Sequence, residues 1–225
     1  MNDEKQLNSF KMAARLAPPL PNVCLGEDVP TVVDAKIAWY DGDDMKRVSS
    51  ISDGHCLPHA LLRATSKPYR DLKTVQERSR YAAAFRKELI TGLSAKEYES
   101  VERKYALSKC GWPKRNLLKL LMGNLALGAE VMGLMCELTG VTIHLVQLFT
   151  TGEYVPVESV EGVRDRHVVI LNVANHFELI VRKNGRGTYE VNFHLEDPFI
   201  QSLIRKRYER RDRTKPEGKR QSVRL

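Results

Sequence analysis

The sequence predicts an α+β domain in which a sheet packs against helices. Helix-type patterns come first, between residues 56 and 138, and strand-type patterns follow, between residues 141 and 193. Such separation of helices from strands along a chain is typical of α+β folds. The chain has 225 residues, enough for one well-buried domain, and no repeat of solenoid length is visible.

The predicted helices begin at residues that suit the free N–H groups of a first turn. Pro58 fits the start of a helix because its missing N–H needs no partner there. Thr74–Glu77 and Ser94–Glu97 are capping-box patterns, and Gly140 is placed to end a helix in the left-handed conformation. The predicted helices cover about 56–65, 74–91, a segment from 94, a short helix within 109–124, and 125–138.

The later segments are rich in β-branched residues and are bounded by turn signals. Ala174-Asn175 separates two of them, and Asn184-Gly185 marks a further turn. An apolar stretch near the start of the chain, residues 31–40, is predicted to be a strand or short helix at the domain edge. The predicted later strands are 141–146, 167–173, 176–181 and a short one within 187–193.

Composition divides the chain into three parts. Residues 1–47, with four prolines in the first thirty, are predicted to be a partly ordered extension before a domain over 48–200. Residues 201–225 are predicted to be a disordered basic tail, because residues 205–225 carry +7 of the net charge of +8. This tail is interpreted as a solvated segment, a nucleic-acid contact through phosphates, or a nuclear-import signal.

The cysteines and the apolar windows indicate a protein of a reducing compartment, cytoplasmic or nuclear. None of the four cysteines has C-x-x-C spacing, so a zinc knuckle or a thioredoxin-like site is not indicated. The first twenty residues lack the apolar run of a signal peptide. The most apolar window, residues 131–149, is interrupted by polar residues, so no membrane contact is expected.

Cys56 has the sequence context of a nucleophile. A thiol attacks as the thiolate, which a helix N-terminus or a neighbouring base favours. Cys56 stands where a small polar loop meets a predicted helix, and the backbone N–H groups of Gly54, His55 and Cys56 could form an oxyanion hole. The other cysteines lack this setting: Cys24 is in the proline-rich lead-in, Cys110 precedes Gly-Trp-Pro, and Cys136 is inside an apolar helix.

Among six histidines, His176 has the best context for a general base. It follows the predicted Ala174-Asn175 turn and begins a strand. Glu178 lies two residues later and therefore on the same strand face, where a carboxylate could orient the imidazole. The remaining histidines are less suited. His55 and His59 flank Cys56 and are expected to point away from it, and His144 is expected to be packed and hydrogen-bonded. His167 begins a strand, and His194 lies near the end of the domain.

These two blocks carry a resemblance to a known family. Asp53–Leu57 resembles the signature of the OTU (ovarian-tumour-domain) cysteine peptidases, and Asn175–Glu178 is similar to their histidine block. The resemblance covers roughly residues 48–182. It implies a papain-like OTU fold, with a central, mostly antiparallel sheet packed between helices.

The resemblance also implies an activity, namely removal of ubiquitin or a ubiquitin-like modifier by hydrolysis of an isopeptide bond. Cys56 would attack the carbonyl, His176 would transfer the proton, and Glu178 would orient His176. Asp53 would either cap the following helix or support the oxyanion loop. No metal or organic cofactor is implied, because the thiolate, the imidazole and backbone donors suffice.

Two departures from the family pattern leave alternatives open. Glu178 stands where the family has Asp or Asn, and Pro58-His59 replaces an aromatic residue followed by arginine. The second departure resembles OTU-like proteins of viruses and mobile elements. The alternatives are a viral polyprotein-processing cysteine protease, and a catalytically silent OTU-like scaffold whose basic 205–225 segment binds nucleic acid.

Overall fold

The structure is a computed structural model. It describes residues 31–42, 44–92, 94–105, 113–123, 126–160, 162, 165–185 and 187–214. Cys24, Cys110 and Leu125, together with the predicted extension up to residue 30 and the last part of the basic tail, 215–225, lie outside these residues.

Seven strands and seven α-helices make up the described chain. The strands are β1 (Val32–Asp34), β2 (Met45–Val48), β3 (Thr142–Leu148), β4 (Tyr154–Val160), β5 (His167–Val173), β6 (His176–Lys183) and β7 (Tyr189–Glu190). The helices are α1 (Cys56–Thr65), α2 (Lys67–Asp71), α3 (Val75–Thr91), α4 (Ala95–Tyr105), α5 (Lys114–Met122), α6 (Met132–Thr139) and α7 (Pro198–Thr214), and a 3₁₀ turn covers Ala129–Val131.

The strands form a single sheet that lies between helices. Their order is β1-β2-β6-β5-β3-β4, and β7 also pairs with β6. Each described pairing is antiparallel except that of β3 with β5. The predicted α+β class with a central, mostly antiparallel sheet is therefore confirmed.

The two faces of the sheet carry two separate apolar cores. Phe177 and Leu179 of β6 pack into the core that contains α1 and the other helices up to α6. Ile180, the residue after Leu179, faces the other side of the sheet and packs into the opposite core with α7 and the segment 35–40. Because side chains alternate along a strand, the phase of β6 decides which of its residues meet α1.

The predicted capping signals do begin and end helices. Thr74 accepts a hydrogen bond from the Glu77 N–H while the Glu77 side chain bonds the Thr74 N–H, which is a complete capping box at α3. α4 starts directly after Ser94. Gly140 ends α6 with φ +75° and donates its N–H to the Cys136 carbonyl at 2.6 Å. Local hydrogen bonds therefore set these boundaries.

One helix begins later than its apolar spacing predicts. The expected helix over 125–138 is α6, which starts at Met132 and is preceded only by a 3₁₀ turn. The Glu130 carboxylate accepts the Gly128 N–H at 2.9 Å, which ties up the backbone before the helix. Glycine is also a weak helix former, so the turn ahead of Met132 tightens instead of extending the helix.

Two strands were not predicted, β2 and β4. β4 is an edge strand with Pro156 in its middle, and its pairing with β3 is shifted between Leu145 and Val146. Proline is tolerated on an edge strand, but it removes the alternation on which the strand predictions depend. Within the predicted 187–193 strand, only Tyr189–Glu190 pairs with β6, and Phe193 adds an isolated bridge to His167.

The folded body extends beyond residues 48–200 at both ends. β1 and β2 place residues 32–48 in the sheet, and α7 continues to Thr214, well into the segment expected to be a disordered tail. Phe199 and Leu203 are fully buried against the sheet, because apolar residues recur at helical spacing among the charges. Arg182 of β6 holds the Asp197 carboxylate at 2.8 Å, and that carboxylate accepts the Phe199 N–H at 2.9 Å.

Among the residues that the structure describes, no helix combines the length and the apolar character that crossing a bilayer requires.

His144 is packed and hydrogen-bonded, as the sequence predicts. Its Nε2 lies 2.8 Å from His167 Nδ1, and its Nδ1 lies 2.7 Å from Ser159 Oγ. Burial lowers the pKa of His144 to about 3, and the nearby His167 and Arg207 act in the same direction. His144 is therefore neutral in the folded protein at neutral pH and in mild acid.

The depressed pKa of His144 predicts a loss of stability in mild acid. Between about pH 6.5 and pH 3 the unfolded chain protonates this residue and the folded chain does not, so stability falls as the pH falls. The contribution is at most about 1.4 kcal/mol per pH unit. Between pH 7 and pH 5, the free energy of unfolding measured with urea is expected to decrease less for His144→Gln than for wild type. His194→Gln, at a largely exposed side chain, is the control; equal losses in wild type and His144→Gln would contradict the prediction.

Candidate active site

Cys56 is the first residue of α1 and is buried, with 5% of its surface exposed. The first turn of α1 contains no acidic residue, and the residue before it, His55, makes no side-chain cap. Pro58 has no N–H, and the His59 N–H already donates to the His55 carbonyl at 2.8 Å. The positive end of the helix dipole at Cys56 favours an anion there, and the Asp53 carboxylate, bonded to the His55 N–H, already lies near this end of the helix.

The loop before Cys56 is held in a shape that glycine permits. Gly54 has φ +84°, in the left-handed region that residues with a Cβ rarely adopt. The His55 N–H donates to Asp53 Oδ1 at 2.9 Å. The N–H groups of Gly54 and Cys56 make no hydrogen bond within the described residues. These two donors, and not that of His55, are the ones available for an oxyanion.

Asp53 supports this loop and does not cap α1, whose N-cap position is His55. Besides the His55 N–H, its carboxylate takes hydrogen bonds from Ser79 of α3 and from His59. Burial raises the pKa of Asp53, but the hydrogen bonds from Ser79 and His59 outweigh it and leave the pKa below its ordinary value. Of the two predicted roles, only support of the oxyanion loop has contacts in the structure.

His59 belongs to the site, although sequence reasoning set it aside. It is fully buried, its Nε2 lies 3.0 Å from Asp53 Oδ2, and its Nδ1 lies 2.7 Å from the Tyr69 hydroxyl. Burial lowers the pKa of His59 below its ordinary value, although Asp53 opposes the shift. The sequence offers one hint, a histidine among the apolar positions of α1. Its partners lie in a loop and in α2, which no spacing rule connects.

His176 begins β6 directly after a two-residue turn. Ala174 and Asn175 have φ of +48° and +68°, as type I′ hairpin turns require. The Ser50 hydroxyl, in the loop leading to Cys56, bonds the Phe177 carbonyl next to His176. α1 packs on β6, and Cys56 shares a core with Phe177. The structure therefore brings the two blocks to the same end of the sheet.

The phase of β6 places His176 on the face opposite the Phe177 side chain. His176 pairs with Val173, which packs against the α7 core, so its Cβ projects toward that side at the end of the strand. Within the described residues, neither the Cys56 thiol nor the His176 ring makes a side-chain hydrogen bond. The Ser50–Phe177 hydrogen bond and the packing of α1 on β6 join the two blocks, but through the backbone of one loop and one strand end.

Glu178 is buried, and its partner in the structure is Arg47 of β2. Oε2 of Glu178 lies 3.3 Å from Arg47 Nε, and neither atom has a hydrogen bond of good geometry. Glu178 shares the strand face of His176, as predicted, and its described partner is the arginine. A role in orienting His176 would have to coexist with this ion pair.

Cys136 is not suited to be a nucleophile. Its side chain is fully buried in α6, and Sγ lies 3.2 Å from the Val160 carbonyl. Burial raises the pKa of Cys136 to about 12, so its thiol is neutral at physiological pH. Among the described residues, no three His, Cys, Asp or Glu side chains converge in a way that could hold a metal ion.

No known family model matches the chain, and no curated protein matches it. Several solved structures do match the chain. An OTU domain in complex with ubiquitin is 14% identical, with 80% of this chain and 90% of that chain covered and a TM-score of 0.48.

Two viral structures are similar as well. The Hazara virus OTU bound to ubiquitin is 14% identical, with 72% of this chain and 94% of that chain covered and a TM-score of 0.48. The viral OTU domain protease of Farallon virus is 12% identical, with 72% of this chain and 97% of that chain covered and a TM-score of 0.41. The roles of individual residues therefore rest on the geometry of this chain.

The turn that delivers His176 is predicted to hold backbone strain at Ala174. Ala174→Asn should raise the free energy of unfolding by roughly 0.5–1 kcal/mol, because asparagine tolerates positive φ better than alanine. Ala174→Val should lower it by about 1 kcal/mol or more, because a β-branched residue resists that conformation. Urea unfolding of both variants tests the pair, and changes of the same sign would rule out strain at this turn.

Proposed function

We propose that this protein is a cysteine peptidase that removes ubiquitin or a ubiquitin-like modifier by hydrolysing the bond after the modifier's C-terminus. One observation carries the proposal. Cys56 stands at a helix N-terminus, behind a turn with two free N–H donors, at the sheet end where His176 begins β6. The substrate class follows from the resemblance of the Asp53–Leu57 and Asn175–Glu178 blocks to OTU peptidases.

In the proposed reaction, the Cys56 sulfur attacks the carbonyl carbon of the modifier's last residue while His176 takes the thiol proton. The N–H groups of Gly54 and Cys56 donate to the oxyanion that forms. The C–N bond then breaks, and His176 gives its proton to the leaving lysine amine. Water, activated by His176, attacks the thioester and releases the modifier with a free carboxylate, and the thiol regains its proton.

His176 needs to approach Cys56 for this step. Hydrogen bonds between a nucleophile and its base are often long in a free enzyme and tighten in the complex with substrate. The imidazole lies at the first position of β6 and is half-buried, so for this step it would turn past the end of the strand toward Cys56. Glu178 would steady it while keeping its ion pair with Arg47.

The two alternative functions make different demands on substrate. A polyprotein-processing protease would cleave junction peptides and leave ubiquitin conjugates intact. A silent scaffold would bind nucleic acid through residues 205–225, with salt-sensitive affinity, and would not react with an electrophile on ubiquitin. Part of that basic segment is helical in the structure, since α7 includes residues 205–214.

Reaction with an electrophile is the first test. Ubiquitin carrying a thiol-reactive group at its C-terminus is expected to form a covalent adduct with the wild-type protein. Cys56→Ala should abolish the adduct, because it removes the attacking sulfur. His176→Ala should slow adduct formation by roughly 100-fold, the usual scale of a general base. Gel shift and intact mass measure the rate.

Matched controls separate chemistry from general damage. Cys136→Ser removes the other described thiol and keeps a donor to the Val160 carbonyl. His194→Ala removes an exposed imidazole. Both should label at the wild-type rate. Two outcomes would contradict the proposal. One is a wild-type protein that forms no adduct and cleaves no ubiquitin conjugate; the other is an adduct that persists in Cys56→Ala.

The oxyanion loop gives a second prediction. Gly54→Ala should cost about 1–2 kcal/mol of stability, since alanine resists φ +84°. It should also slow ubiquitin labelling at least about 10-fold, because the turn that sets the two donors is disturbed. Gly152→Ala is the control: its φ is +82° and nothing lies within 4 Å of an added Cβ. It should lose similar stability but keep its labelling rate; equal slowing in both variants would contradict a special role for Gly54.

A further inference from the structure

We propose that His59 and Tyr69 are positioning residues of this site, which fix Asp53 and through it the loop that presents the oxyanion donors. This inference rests on the proposed function. It concerns residues that lie behind the loop and do not touch the reacting atoms.

The hydrogen bonds among these residues can run in only one direction. The Asp53 carboxylate, whose pKa lies below its ordinary value, can only accept hydrogen bonds. His59 Nε2 therefore carries the ring proton and donates to both Asp53 oxygens, at 3.1 and 3.0 Å. Burial lowers the pKa of His59, so the imidazole is neutral and its Nδ1 accepts; Tyr69 donates its O–H to Nδ1 at 2.7 Å. The direction follows from the carboxylate, which has no proton to donate.

Burial makes this chain rigid. The exposed fractions of His59 and Tyr69 are 0% and 1%. A buried polar group that loses its partner costs about 1–3 kcal/mol, so each member holds the next one in place. Ser79 of α3 adds a further donor to Asp53. Asp53 is thereby tied to α1, α2 and α3, although it lies in a loop.

The loop in turn depends on Asp53. Asp53 Oδ1 takes the His55 N–H at 2.9 Å, and this bond spans Gly54 while its backbone has φ +84°. The Asp53 side chain is 24% exposed, so without His59 it could turn toward water and release the His55 N–H. The donors at Gly54 and Cys56 would then lose their fixed direction. Oxyanion stabilisation requires donors that are already oriented when the charge develops.

A positioning role differs from a purely structural one in what it changes. Misdirected oxyanion donors weaken binding of the transition state, so kcat falls while KM stays the same. Alkylation of Cys56 by iodoacetamide displaces iodide from carbon and develops no oxyanion, so its rate should not change. A general loss of packing would instead lower stability and alter all of these quantities together.

Tyr69→Phe is the sharpest variant, because it deletes one oxygen from the chain. With ubiquitin carrying a fluorogenic C-terminal amide as substrate, kcat is expected to fall about 10-fold, with KM and the Cys56 alkylation rate within about twofold of wild type. Tyr81→Phe is the matched control. Its hydroxyl bonds Ser66 Oγ at 3.1 Å, and its ring packs edge-on against Tyr69. It should keep the wild-type kcat.

A second pair of variants keeps the test decisive if Tyr69→Phe folds poorly. His59→Gln places an amide N–H near the position of Nε2 and can still donate to Asp53. His59→Leu fills similar space without a donor. The expected result is that the glutamine variant keeps at least about one third of the wild-type kcat and the leucine variant loses about 100-fold. Melting temperatures identify folded samples.

The outcomes separate the two proposals. Wild-type turnover with equal kcat for Tyr69→Phe and Tyr81→Phe, or equal losses for His59→Gln and His59→Leu, would overturn the positioning role alone. So would a fall in kcat that the alkylation rate follows in proportion. A wild-type protein with neither turnover nor ubiquitin labelling would overturn the proposed function, and this inference with it.

Discussion

The packing of α1 on β6 is the contact on which the rest of the candidate site depends. It sets a helix N-terminus carrying Cys56 beside the strand end that carries His176, although the two residues are far apart in the chain. Each partner is apolar on the facing side: Leu57 and Leu61 of α1 are fully buried, as is Leu179 of β6. Burial of such side chains stabilises by roughly 1.5–3 kcal/mol each, against about 0.5–1.5 kcal/mol for a typical neutral hydrogen bond. The candidate site is therefore attached to a fully buried part of the fold.

The loop that links β2 to α1 turns this packing into a site. Ser50 ties its beginning to β6, and Asp53 ties its end to three helices through His59 and Ser79. Short surface loops usually move, but this one is bonded at both ends to buried groups. Gly54 provides the conformation that the turn requires between them. The result is a pair of backbone donors held next to the candidate nucleophile before any substrate binds.

Patterns that depend on neighbours in sequence were predicted well. The capping box at Thr74, the left-handed Gly140 and the turn at Ala174-Asn175 involve hydrogen bonds over three or four residues, so the sequence shows both partners at once. Features that depend on distant partners were missed or misplaced. The sequence of β2 is charged and does not look like a strand, but in the structure it pairs with β6. The sequence of α7 looks like a basic tail, but in the structure its apolar residues are buried against the sheet. Burial in those cases is a property of the assembled sheet.

The sequence alone determined the α+β class and the two blocks that hold Cys56 and His176, because residue spacing and turn chemistry are local. Only the tertiary structure decided what surrounds them. It placed Glu178 beside Arg47, and it joined Asp53 to His59 and Tyr69. These contacts link strands and helices that no short-range rule connects. Their energies arise from burial and charge pairing, which exist only after the chain has folded.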